Sequence, residues 1–169
     1  MRISALQRAD QDLECGDYGL ARQRLTSYLS TEGYDPHVMA QIGQISCDMH
    51  DMFQAGRFWL LSSAAGEVTE DAISRFIRDA GSEPRAIVGQ LPRAARLCSL
   101  EDYPDLVQER LRRFGLDEAI VLAGRAAAKG GSKTWGDHAM LTGCLITAVL
   151  LLVVFLIGMG TVVSWFLPD

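Results

Sequence analysis

The chain has 169 residues, with 16 Lys+Arg against 21 Asp+Glu and a formal net charge of −5. That length allows one small domain and an extra element, not two full domains. The acidic balance excludes a nucleic-acid binder that works by neutralising phosphates, and four scattered cysteines exclude a disulfide-stapled scaffold.

No window sustains the two-residue alternation of a strand, while Gly, Asp and Pro recur between stretches of helical periodicity, so the fold class is all-α. In chain order the predicted helices run Ile3–Glu14, Tyr18–Ser30, Pro36–Met49, Phe53–Ser63, Thr69–Ala80, Pro84–Leu97, Pro104–Phe114 and Asp117–Lys129. Pro36, Pro84 and Pro104 suit a first helical turn, where the missing N–H costs nothing. Gly16, Gly33, Gly81, Gly115 and Gly130 follow predicted C-termini, where a left-handed residue is wanted. Thr69 and Ser99 suit N-cap positions. Leu20, Leu25, Tyr28 and Leu29 on one helix, with Phe53, Phe58, Trp59, Leu60 and Leu61 on another, are the expected core, and Trp59 is expected to pack rather than to serve as a ligand platform.

Charge is uneven along the chain. Residues 1–74 carry 5 basic and 11 acidic side chains, and residues 75–133 carry 11 basic and 8 acidic. Arg110, Arg112, Arg113, Arg125, Lys129 and Lys133 form the basic stretch. Two readings of it stand: contact with an anionic leaflet, or ordinary helix-surface pairing of Asp105, Glu109, Arg112 and Arg113.

From Met140 to Leu167 the sequence holds 28 residues without a formal charge. About 20 apolar residues at 1.5 Å each span a ~30 Å hydrocarbon core, so residues 139–167 are expected to form a transmembrane helix. Residues 130–138 then read as a Gly/Ser linker and residues 1–129 as a cytosolic helical domain. The opening residues show no apolar signal-peptide region, which makes the span a tail anchor in this reading. Basic residues on its N-terminal side place the domain on the cytoplasmic side of a cell inner membrane, and Trp135 and Trp165 suit the two headgroup levels. Cys15, Cys47 and Cys98 are expected as free thiols, with Cys144 inside the span. Ala139, Gly143 and Thr147, with Gly160 and Ser164, make short stripes of small residues that offer helix pairing and hence a homo-oligomer.

An internal repeat has a period of 34 residues: Gly16-Asp17-Tyr18-Gly19-Leu20-Ala21 aligns with His50-Asp51-Met52-Phe53-Gln54-Ala55. Asp17 meets Asp51, Ala21 meets Ala55, and Leu25 meets Trp59. With Gly43 in the preceding helix, and Ala9 at the equivalent place, this pattern resembles the tetratricopeptide helical hairpin over roughly residues 2–70. Ala55-Gly56-Arg57-Phe58-Trp59 also resembles a turn found in small bacterial proteins of uncharacterised function. The tetratricopeptide resemblance implies antiparallel hairpins, with Asp10, Glu14, Gln44, Asp48 and Arg78 on a concave side suited to a basic or polar segment of a protein partner. An ordinary solvated acidic face is the other reading of those five.

Residues that could carry chemistry are few. Cys47 and His50 lie three apart, with His37 nearby, but no metal-site spacing accompanies them, and no orienting group makes a Cys–His pair. Gly130-Gly131-Ser132-Lys133-Thr134 lacks the first glycine of a phosphate loop. No cofactor, metal or nucleic acid is expected, and no catalysis. The sequence reading is therefore a tail-anchored, non-catalytic adaptor with a protein or peptide partner and lipid contact. Its alternative is a small membrane sensor or effector, of stress or phage-defence type, that oligomerises through the span.

Overall fold

The computed structural model describes residues 4–130. Among them are eight α-helices and no strand: α1 Ala5–Glu14, α2 Tyr18–Glu32, α3 Pro36–Asp48, α4 Met52–Trp59, α5 Glu67–Ala80, α6 Pro84–Gln90, α7 Asp105–Arg113 and α8 Asp117–Gly130. Two 3₁₀ turns, Arg93–Ala95 and Leu100–Asp102, separate α6 from α7.

Local chemistry sets the starts. The side chains of Asp17, Asp35 and Asp51 accept hydrogen bonds from the first backbone N–H groups of α2, α3 and α4, which satisfies donors the helix cannot pair itself. Pro36 and Pro84 occupy first turns as expected, whereas Pro104 sits one place earlier, at the cap of α7. Thr69 is not a cap. It is buried inside α5, which starts from Gly66 and places Glu67 and Glu70 in its first turn, where negative charge complements the helix dipole. Ser99 precedes the second 3₁₀ turn without a side-chain cap bond.

The expected helix from Pro84 to Leu97 stops at Gln90. Pro92 crowds the residue before it out of helical space, and Leu91 is accordingly extended at φ −67°, ψ 151°. The chain then turns back toward α2, against which the first 3₁₀ turn packs.

Helices adjacent in sequence pack in succession from α1 to α6. Ala21, Leu25 and Leu29 form the buried stripe of α2, and their spacing of four leaves Leu20 on the outer side, exposed rather than in the expected core. Tyr28 and Phe53 are half-buried against the core, and Phe58, Trp59, Leu60 and Leu61 are within it. α4 is gripped on two sides. A methyl group at Gly43 would collide with the Trp59 indole, whose Nε1 donates to the Ala40 carbonyl at 3.3 Å. A methyl at Gly56 would land on the Ala72 carbonyl of α5.

Positions 34 apart do the same work in the first two hairpins. Gly16 and His50 are both left-handed, at φ 77° and 60°. Asp17 and Asp51 both cap. Ala21 and Ala55 are wholly buried, and Leu25 and Trp59 nearly so.

Among the described residues no helix is long and apolar enough to cross a membrane. The expected span at 139–167, most of the 130–138 linker, Lys133 and the helix-pairing residues Ala139, Gly143, Thr147, Gly160 and Ser164 lie outside the described residues.

Candidate functional site

The site is a groove of about 1080 Å³ with three walls. α2 gives the first, through Arg22, Gln23, Thr26, Ser27 and Ser30, the more polar side of the helix whose buried stripe carries Ala21 and Leu25, with Leu29 of that stripe also lining the groove. α4 and its cap give the second, through Asp51, Gln54, Arg57 and Phe58. Pro92, Arg93 and Ala94 give the third.

That third wall is held by its own hydrogen bonds. Tyr103 Oη donates to the Ala95 carbonyl at 2.6 Å and accepts from the Leu97 N–H at 2.8 Å. Arg96 Nη2 donates to the Gly89 and Leu91 carbonyls at 2.9 and 2.7 Å. Burial pushes the Tyr103 phenol up to about 12, against the opposing pull of the Leu97 N–H, so the ring stays protonated and its O–H remains a donor at neutral pH.

The groove has an excess of positive charge. It is lined by three arginines and one carboxylate. Asp51 is fully engaged: Oδ1 caps α4 and Oδ2 lies 3.7 Å from Arg22 Nη1. Arg57 donates from Nη1 to Gln54 Oε1 at 3.0 Å and lies over the Phe58 ring at 5.5 Å, while its buried Nε has no acceptor. Burial, and then the Arg96 charge, lowers the Arg57 pKa from its ordinary value. Burial, then Arg93, does the same to Arg96. An array of like charges of this kind is suited to anions or carboxylates.

The five residues expected on a concave face lie on α1, α3 and α5 and are all exposed. Gln44 Nε2 donates to Asp48 Oδ1 at 2.9 Å, and Arg78 Nε lies 3.6 Å from Asp79 Oδ1. None of Asp10, Glu14, Gln44, Asp48 or Arg78 lines the groove, whose helical walls come from α2 and α4.

The basic stretch needs one correction. Arg110 does not face lipid or solvent; it is 2% exposed. Its guanidinium makes five hydrogen bonds, to the carbonyls of Trp59 (3.1 Å), Ser62 (3.0 Å) and Ala64 (2.6 Å), and twice to Glu70 Oε1. The physical reason is that the chain leaving α4 turns its carbonyls inward, and a fork of N–H donors serves the Ser62 and Ala64 carbonyls together with that of Trp59, which also accepts from the Ser62 N–H and hydroxyl. Arg113 pairs with the other oxygen of Glu70 and stacks on Phe114 at 4.6 Å, rather than pairing along α7. Burial pushes the Glu70 pKa up, but the hydrogen bonds from Arg113 and Arg110 outweigh it and hold the carboxyl below the usual range. Arg112 is exposed and bonded to Gln108 at 2.9 Å, Arg125 reaches the Cys98 carbonyl at 3.1 Å, and Lys129 is exposed.

His37 and His50 are exposed and Cys47 packs its sulfur 3.9 Å from Met52 Sδ. Among the described residues no group of three His, Cys, Asp or Glu could hold a metal ion.

A family model described as a family of unknown function (DUF6584) matches residues 1–164. No curated protein and no solved structure matches the chain.

Proposed function

The chain belongs to that family of unknown function, DUF6584, and on that premise we propose that it is a non-catalytic adaptor that holds a protein partner at a membrane. The observation that carries this reading is the three-walled groove, which is open and lined by arginines, neutral polar groups and apolar side chains rather than by a nucleophile with its base. At about 1080 Å³ it lies just above the range of about 300–1,000 Å³ typical of small-ligand pockets, a size that suits a length of polypeptide. The matched caps, left-handed residues and buried positions at a spacing of 34 support reading α1–α4 as two tetratricopeptide-like hairpins, a scaffold that works through extended surfaces. The uncharged stretch from 140 to 167 supports the membrane attachment, and Arg125, Lys129 and Lys133 before it support a cytoplasmic domain at a bacterial inner membrane.

Photocrosslinking of the full-length chain in membranes of its host tests this. A photoreactive residue at Thr26, in the groove, should yield protein adducts that disappear when Arg57 and Arg93 are changed to Gln. Adducts from Gln44 alone would move the partner to the acidic face. No protein adduct from either position would remove the adaptor reading.

A further inference from the structure

We propose that the groove between α2, α4 and the Pro92–Ala94 turn receives an acidic segment of the protein partner, with carboxylate side chains seated on Arg57 and Arg93. The inference rests on the adaptor reading and specifies its partner. Charge complementarity carries it. Residues 1–74, which supply two of the three walls, carry more than twice as many acidic as basic side chains, yet the groove itself is arginine-rich. Its one carboxylate is already shared between the α4 backbone and Arg22. The Arg93 side chain makes no hydrogen bond or ion pair in the described chain, and Arg57 has only the neutral Gln54 as a side-chain hydrogen-bond partner. Like-charged Arg96 stands close to both but is tied back to two carbonyls, so it adds field without being free to bind.

Preorganisation points the same way. Gln54 and the Phe58 ring hold the Arg57 guanidinium in place before anything binds, so little side-chain freedom is left to lose. Gln23 and Ser27 line the opposite wall with side chains that make no internal hydrogen bond, and these can pair with the backbone of an extended segment. The array favours carboxylates, which guanidinium groups bind by paired N–H donors, and it repels a basic segment.

The test is fluorescence anisotropy on the full-length chain in nonionic detergent. The probes are a labelled peptide alternating Glu and Ser, its Lys/Ser counterpart, inorganic phosphate as competitor, and phosphatidylglycerol vesicles. The Glu/Ser peptide should bind, weaken steeply with salt, and lose about tenfold or more in affinity in Arg57→Gln. Arg93→Gln, at an exposed position that leaves the fold intact, should weaken it too, and Arg78→Gln outside the groove should not. Equal binding of the Lys/Ser peptide, an arginine-dependent preference for phosphate or vesicles, or no binding of the Glu/Ser peptide would each overturn the inference. If crosslinks from Thr26 persist in that last case, the adaptor stands and only its acidic partner falls.

Discussion

The front of the domain, α1 to α4, and the rear, α5 to α8, are stabilised by different means. In front, two hairpins repeat one pattern, with an aspartate cap, a left-handed residue before it, and a small buried alanine at the same offset in each. Such stability is spread over neighbouring contacts. The rear has no comparable repetition. α7 is fastened to the chain leaving α4 by Arg110, which reaches residues more than 40 positions away. The groove needs both regions, since α2 and α4 make two walls and the Pro92–Ala94 turn makes the third. The difference teaches that local repetition can build two walls, whereas the third is held by Tyr103 and Arg96 and joined to α7 through Gln108, whose Nε2 donates to the Tyr103 carbonyl at 2.8 Å.

The comparison breaks most severely at Arg110. Arg110→Ala strands the Ser62 and Ala64 carbonyls and leaves a void, and should cost about 3–5 kcal/mol in chemical denaturation, with Arg110→Lys recovering only part because a single ammonium cannot serve five directions. Gly56→Ala tests the joint between the halves. Its methyl meets backbone, not a side chain that can swing away, so a loss of about 1–3 kcal/mol is expected.

Glu70 sharpens the comparison through pH. Its carboxyl is held below the ordinary 4.5 by Arg113 and Arg110, despite burial that acts the other way. A depressed carboxylate contributes stability that is present above the ordinary value and lost as pH falls through the depressed one. Thermal midpoints should therefore drop on acidification below about pH 4.5, and Glu70→Gln should show a shallower drop. Partial exposure of Glu70 keeps that effect modest. The smallest effect belongs to the front. His50 holds a left-handed backbone that Gly16 holds without strain, so His50→Gly should raise stability by up to about 1 kcal/mol.

How much of this was legible in the sequence depends on range. Each expected helix has a counterpart, because Asp caps, Gly stops and apolar spacing act within a few residues of where they are written. The 34-residue offset predicted which positions would match before their roles as cap or core were visible. Pro92 is the local signal for the early end of α6, set inside an otherwise helical stretch. Arg110 had no such signal. In the sequence it is one arginine in a basic helix, and only the folded chain brings Glu70 and three carbonyls around it. The groove was hidden for the same reason, since its arginines come from three separated segments.

Hydrogen–deuterium exchange on full-length Arg110→Met, which fills the space but donates nothing, tests most directly whether a front scaffold and an arginine-fastened rear together make the site. Amides of residues 60–66, 92–97 and α7 should lose protection while α1 to α3 keep theirs. Unchanged protection at 92–97, or equal loss across all eight helices, would contradict it.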